Sequence, residues 1–173
     1  MNDETLSLRP MESGDEAMIL DILTSETVGK TYMLPEYPCR EDAIPLFRRL
    51  VDLSRSDARY VRCIDLNGTA IGYLNDTGID CGAIELGYVI HPNHHGNGYM
   101  TEALSLALKE LSDLGFTTAI CGAFEENKAS IRVMEKNNMV KQTDTEEISY
   151  RGKTRTCVYY RLALKYPGGD GKC

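Results

Sequence analysis

One segment near the middle of the chain limits the possible folds most, because a strand, a glycine-containing turn and a helix follow one another without a linker. Residues 83–90 form an apolar run that predicts a central strand, and Pro92 ends it. The turn contains Gly96 and Gly98, and residues 101–114 have apolar side chains at helical spacing. Such a turn aims several main-chain N–H groups at one point beside the positive end of a helix dipole. The segment therefore predicts a diphosphate site.

The elements around this segment are of mixed type. Strand patterns flank Asn67-Gly68, a strong hairpin signal, and two longer strand patterns end the chain. A capping-box pattern, Ser13 with Glu16, predicts a helix that ends near Leu23. Further helices are predicted at about 42–54 and 127–136, and strands at about 6–9, 60–66, 70–75, 117–124, 140–150 and 154–164. We predict an α+β fold with a mixed sheet of six to seven strands and helices on both faces.

The bulk composition is that of a globular domain. The 173 residues are 42% hydrophobic and 26% charged, and we predict one domain over residues 1–166 with a disordered tail over 167–173. No apolar run reaches ~18 residues and residues 1–4 do not read as a signal peptide, so we expect no membrane association and a cytoplasmic location. Six cysteines without a CxxC pair are expected to be structural thiols.

The charge of the chain bears on its partners. The formal net charge is −7, whereas nucleic-acid binding needs a basic surface, so no nucleic-acid partner is expected. An acidic protein weakly favours a cationic substrate such as an amine.

Three known turns could explain the glycine-containing segment. The GxxxxGK[ST] string of the P-loop is absent, and the dinucleotide string GxGxxG would need glycine where Thr101 stands. In contrast, the pattern Pro-x-x-x-Gly-x-Gly-Tyr-x-Thr-Glu-Ala over residues 92–103 strongly resembles the acetyl-CoA loop of GNAT-type N-acetyltransferases. It is most similar to the branch that includes the ribosomal-protein-alanine N-acetyltransferases. The alternative is a turn that only connects two elements.

The resemblance covers nearly the whole chain, with further similar segments at residues 8–10, 65–73 and 127–137. It implies a centrally splayed sheet in which the pantetheine arm of acetyl-CoA pairs with main-chain groups of Val89 and Ile90. It also implies a contact from Asn127, which could equally cap its helix. The diphosphate is expected on the main chain of six residues: His95, Gly96, Asn97, Gly98, Tyr99 and Met100. The sequence departs from the family pattern at His95, where Gln or Arg is usual, and at Met100, where a small residue is usual.

Two residues are candidates for the chemistry. Glu85 lies on the central strand and matches an acidic residue of related acetyltransferases, so we predict that it takes the proton of the amine, directly or through water. Many members of the family have Tyr at the position of Met134. Ser130, the third residue after Asn127, instead resembles the proposed proton donor of the ribosomal-protein branch. The alternatives are a surface Glu paired with a basic residue, and a solvent-facing or helix-capping Ser.

The remaining candidates are weaker. Three tyrosines and two glutamates near the end of the chain could face the acceptor, but residues of this kind more often pack or are solvated: Tyr150, Tyr159, Tyr160, Glu146 and Glu147. The histidines 91, 94 and 95 cluster in the turn, but we expect no metal there because phosphate contacts would leave little room.

These patterns together predict a transfer of acetyl from acetyl-CoA to a primary amine by direct attack, with a protein N-terminus or a small amine as acceptor. The resemblance makes a homodimer plausible. The alternatives are an acyl-CoA-binding sensor without turnover and a nucleotide-binding protein.

Overall fold

The computed structural model describes residues 5–165, so the predicted disordered tail at 167–173 lies outside the described residues. Seven strands form one sheet in the order β1-β2-β3-β4-β5-β7-β6, in agreement with the predicted six to seven. The strands are β1 Leu6–Arg9, β2 Val61–Leu66, β3 Thr69–Asp80, β4 Ala83–Ile90, β5 Thr118–Phe124, β6 Val140–Tyr150 and β7 Lys153–Ala163. The helices are α1 Glu16–Leu23, α2 Glu26–Gly29, α3 Arg40–Leu53, α4 Tyr99–Asp113 and α5 Lys128–Lys136.

The turns between strands explain where the sequence predictions succeed and fail. The β2–β3 hairpin turns at Asn67 and Gly68, both with positive φ (53° and 84°), as predicted. A second hairpin between β3 and β4 turns at Cys81 and Gly82 (φ 43° and 79°). This hairpin makes β3 longer than predicted, and its turn was missed because cysteine rarely adopts a left-handed conformation.

The chain divides into two compact units. The N-terminal unit comprises the described residues up to Asn75 together with Tyr88–Ala103. The C-terminal unit comprises Asp76–Gly87 and the described residues from Leu104 onward.

The core of the N-terminal unit lies between helices α1 and α3 and strands β1 to β3. Its fully buried side chains include Met11, Ile19, Ile22, Phe47 and Tyr73. The main-chain N–H of Glu12 donates to the Asp15 carboxylate at 2.8 Å, so the cap before α1 is one residue earlier than the predicted Ser13–Glu16 pair.

In the C-terminal unit, β4 and β5 are parallel, and β5, β7 and β6 are antiparallel neighbours. The parallel register is Ala83↔Thr118 to Leu86↔Cys121, which is shorter than either strand and agrees with a splayed sheet. Leu104, Ala107 and Leu111 of α4 are buried. Leu114, at the end of the predicted helix 101–114, is exposed because the helix ends at Asp113. Within residues 5–165, no helix is long and apolar enough to cross a membrane.

Candidate active site

The end of β4 is held closely against the main chain of β3. The N–H of His91 donates to the carbonyl of Ile71 at 2.8 Å. A Cβ on Gly72 would lie 2.3 Å from the Val89 carbonyl oxygen and 2.9 Å from the Ile90 Cα. Only glycine fits at this position, so Gly72 fixes the two residues predicted to pair with pantetheine. We did not predict a role for Gly72, although glycine inside a strand pattern signals a close backbone approach.

A single turn of 3₁₀ helix, Pro92–His94, connects β4 to residues 95–98, which we call the glycine loop or phosphate loop. The Nδ1 atom of His91 accepts a hydrogen bond from the Asn93 N–H at 3.2 Å and so caps this turn. Burial lowers the pKa of His91, although the Asp21 carboxylate acts in the opposite direction. Burial and the hydrogen bond from Asn93 both favour the neutral form of His91. Within residues 5–165, no group of three or more His, Cys, Asp or Glu side chains is arranged to hold a metal ion.

The glycine loop exposes main-chain donors. Gly96 and Gly98 have φ of 81° and 83°, and a Cβ on either would meet no atom within 4 Å. The Asn97 side-chain amide donates to the carbonyls of His94 and His95, both at 3.3 Å, which closes the turn. Within the part of the chain that the structure describes, the N–H groups of residues 96–98 donate to no protein acceptor. This arrangement at the start of α4 fits an anionic diphosphate.

The main chain of His95 is used differently from the prediction. Its main-chain N–H, which we expected among the phosphate donors, donates to the Pro92 carbonyl at 3.1 Å. Its ring Nε2 lies 3.0 Å from the carbonyl oxygen of Ile90. Since a carbonyl only accepts, the proton of this bond is on Nε2. The side chain of Met100 is buried, so this departure from the family pattern does not cover the loop.

Glu85 lies on the half-buried face of the sheet in the C-terminal unit. Its neighbours Ile84 and Leu86 are buried on the opposite face, and its register partner is Ile120. Burial raises the pKa of the Cys121 thiol, and the charge of Glu85 adds to the effect. The Glu85 charge also contributes, after burial, to the raised pKa of Cys157. The Glu85 carboxylate therefore lies within electrostatic range of both thiols.

A tyrosine and a glutamate extend this face. The hydroxyl of Tyr159 donates to the Glu146 carboxylate at 2.6 Å. Gly122 is the register partner of Tyr159, and a Cβ on it would lie 2.9 Å from the tyrosine ring. Burial and the bond to Glu146 raise the pKa of Tyr159 well above its usual value. The absent side chain at Gly122 thus lets the ring approach the main chain of β5.

Asn127 caps the beginning of α5, which is one of the two roles predicted for it. Its side-chain oxygen accepts the Ser130 N–H at 3.1 Å, and Ser130 itself is half-buried. The other two tyrosines pack: Tyr160 is buried and donates to Glu135 at 3.2 Å, and the Tyr150 ring lies 5.6 Å from that of Phe124. Tyr159 has a half-buried ring and a hydrogen-bond partner, Glu146, on β6.

Residues 5–140 match the acetyltransferase (GNAT) domain family. The chain belongs to this family. Within the GNAT match lie the glycine loop, Glu85, Asn127 and Ser130, whereas Tyr159 and Glu146 lie beyond it.

Solved structures confirm the GNAT fold. A ribosomal L7/L12 alpha-N-protein acetyltransferase in complex with coenzyme A has a TM-score of 0.83 and 16% identity, covering 94% of this chain and 96% of that one. A spermidine N-acetyltransferase from Vibrio cholerae in complex with CoA and spermine has a TM-score of 0.79 and 18% identity, covering 93% of this chain and 97% of that one. A ribosomal-protein-S5-alanine acetyltransferase from Vibrio fischeri has a TM-score of 0.79 and 14% identity, covering 100% of this chain and 98% of that one. At these identities the likeness concerns the fold.

Proposed function

We propose that this GNAT domain transfers the acetyl group of acetyl-CoA to a primary amine by direct attack, without an acyl-enzyme. The observation that carries the proposal is the glycine loop, because three consecutive main-chain N–H groups, at residues 96–98, are exposed at the start of a helix. The family membership adds that such a domain is an acetyltransferase.

The residues that would hold acetyl-CoA fall into three groups. The N–H groups of Gly96, Asn97 and Gly98 bind the diphosphate, supported by Tyr99 and Met100 at the first turn of α4. The main chain of Val89 and Ile90 pairs with the pantetheine arm, and Asn127 adds a polar contact. Acetyl-CoA supplies an acetyl thioester, whose leaving group is a thiolate.

Glu85 removes the proton that blocks the attack. An alkylammonium group has a pKa near ~10 and no lone pair, so a base must accept one proton before the nitrogen can attack. The half-buried carboxylate of Glu85 accepts that proton, directly or through water. Ser130 donates a hydrogen bond to the departing sulfur, and the Asn127 cap holds this serine at the first turn of α5.

For the acceptor we propose a protein or peptide N-terminus or a small polyamine. Two similar structures are named as acetyltransferases of ribosomal proteins, and a third is named as a spermidine acetyltransferase bound to spermine. Glu85 and Glu146 on one sheet face would favour a cationic acceptor. The cytoplasmic location and the homodimer stay predictions from the sequence.

The test is a transfer assay over a panel of amines, read as release of free thiol. Glu85→Gln should lower kcat about 10²- to 10⁴-fold and flatten the rise of kcat with pH, since general bases contribute this much. CoA affinity should not change. Glu16→Gln, an exposed carboxylate at the start of α1, is the matched control and should keep full activity.

Three results would contradict the proposal or part of it. Stabilisation by CoA without turnover on any amine would instead support the acyl-CoA sensor. Stabilisation by ATP or NAD but not CoA would support a nucleotide-binding protein. Unchanged kinetics in Glu85→Gln would remove Glu85 from the role of base.

A further inference from the structure

The segment that holds the phosphate loop has no permanent positive charge. Residues 88–103 contain three histidines, one glutamate (Glu102) and neither lysine nor arginine. Main-chain N–H groups carry only partial charges. Any full positive charge that this segment presents to a diphosphate must therefore come from a protonated imidazole, and it depends on pH.

The three imidazoles have different surroundings. His91 uses Nδ1 as an acceptor, which a protonated ring could not do, so it stays neutral while the turn is intact. The His94 ring lies 6.3 Å from the ring of His91 and 6.2 Å from that of Tyr99. The His95 ring is different because its bond to the Ile90 carbonyl needs a proton on Nε2 and leaves Nδ1 out of that bond. His95 can gain a second proton without breaking this contact.

We propose that His95 is a positioning residue for the phosphate loop, which it ties to the end of β4 through the Ile90 carbonyl, and that its second proton strengthens diphosphate binding. The inference rests on the proposed function, because the ligand is the diphosphate of CoA. The tie joins the first residue of the loop to the last residue of the strand that is expected to pair with pantetheine. One side chain therefore sets the spacing between two parts of the same binding site.

The charge of the bound ligand decides the sign of the pH dependence. His91 and His94 are on the same turn, Glu102 is on the first turn of α4, and Asp21 of α1 acts on His91 but forms an ion pair with Arg40. A bound diphosphate adds negative charge and favours the imidazolium form. The extra affinity is thus present at low pH and is lost as pH rises.

The variants His95→Gln and His95→Ala separate the tie from the charge. The glutamine amide can replace the Nε2–H donor but cannot titrate, whereas alanine removes both. The probe is dephospho-CoA, which keeps the diphosphate but lacks the 3′-phosphate, a group that itself titrates near neutral pH. Calorimetry of the full chain between about pH 5.5 and 8, in buffers of different ionisation enthalpy, gives the affinity and the proton uptake.

The wild type should bind about two- to fivefold more tightly at the acidic end and take up protons on binding, as for an exposed ion pair. His95→Gln should keep the wild-type affinity near pH 8 but lose the pH dependence and the proton uptake. His95→Ala should bind about three- to tenfold more weakly near pH 8, which corresponds to one hydrogen bond. The affinity of His94→Gln should depend on pH in the same way as the affinity of the wild type.

Three results would overturn the proposal. The first is wild-type pH dependence in His95→Gln, the second is its loss in His94→Gln, and the third is wild-type affinity near pH 8 in His95→Ala. Absence of binding in every variant, including the wild type, would instead refute the proposed function. Thermal melting of each variant without ligand shows that the fold is retained, and His95→Gln serves as the conservative rescue of the tie.

Discussion

Two glycines, one in each unit of the molecule, occupy similar positions and are constrained in different ways. Gly72 lies inside β3 of the N-terminal unit, and Gly122 lies inside β5 of the C-terminal unit. A Cβ on Gly72 would meet main-chain atoms of Val89 and Ile90, the nearest at 2.3 Å. A Cβ on Gly122 would meet the ring of Tyr159 at 2.9 Å.

The difference separates two ways of building a binding surface. Main-chain atoms of a paired strand cannot move without disturbing the sheet, whereas a tyrosine ring can change its rotamer at small cost. The geometry at Val89 and Ile90 is therefore fixed by the backbone. The face around Glu85 and Tyr159 is instead shaped by side chains, which vary more easily. We infer that changes in the N-terminal unit affect CoA binding and changes on this face affect the acceptor.

The largest effect should come from the loop itself. Gly98→Val places a β-branched residue at a φ of 83° and a side chain over the exposed amides, so we expect CoA affinity to fall at least ~100-fold. Gly68→Val is the matched control, because Gly68 has a φ of 84° and equally open surroundings but lies in the β2–β3 hairpin. It should lose comparable stability and bind CoA normally. Equal loss of binding in both variants, measured by calorimetry, would assign the effect to folding.

Gly72→Ala tests the backbone side of the comparison. The added methyl must displace the Val89 carbonyl, so we expect a loss of about 1–3 kcal/mol in the free energy of unfolding, as for other overpacked sites. CoA affinity should fall about tenfold, because the pantetheine partners move with the carbonyl. Gly78→Ala, in the same strand but with no atom within 4 Å of its Cβ, is the control. Unfolding by urea and CoA titration measure the two effects, and unchanged affinity would exclude Val89 and Ile90 from the binding site.

The sequence was sufficient to predict the loop but not these two glycines, for a physical reason. A phosphate loop is local: its strand end, its two glycines and its helix start follow one another within a few residues, and periodicity locates them. The close contacts of Gly72 and Gly122 depend on partners far along the chain, which only strand order and register bring together. The same holds for the bond between Tyr159 and Glu146, which needs the β6–β7 register.

Main-chain details within the loop also escaped prediction. The pattern predicted His95 as a binding residue. It did not predict that its N–H donates to the Pro92 carbonyl or that its ring contacts the Ile90 carbonyl. Those contacts follow from the 3₁₀ turn at Pro92–His94, which a proline in a loop does not by itself specify. The predicted roles of Glu85 and Ser130 stay predictions, since they concern chemistry rather than position.

A smaller effect is expected on the side-chain face. Gly122→Ala should move the Tyr159 ring and break its bond to Glu146, which raises the KM for the amine about three- to tenfold and leaves CoA affinity unchanged. Tyr159→Phe keeps the ring on Gly122 and removes only the bond, so it is the matched comparison. Steady-state kinetics with the best amine of the panel measure both. An unchanged KM in both variants would assign Tyr159 to sheet packing alone, and a larger loss of stability than in Gly72→Ala would contradict the comparison itself.

The smallest effect concerns the turn before the loop. Because burial lowers the pKa of His91 in the folded protein, the unfolded chain binds this proton more tightly, and stability is lost as pH falls from the ordinary imidazole value of ~6.5. His91→Asn keeps an oxygen that can accept the Asn93 N–H but cannot titrate. We expect the Tm of the variant to rise relative to the wild type by about 1–2 °C between about pH 7.5 and 5, given the size of the domain and the partial exposure of the ring. Parallel Tm curves of the wild type and the variant over this range would show that protonation of His91 does not affect the stability of the fold. His91 would then also be excluded as a source of any pH dependence of CoA binding.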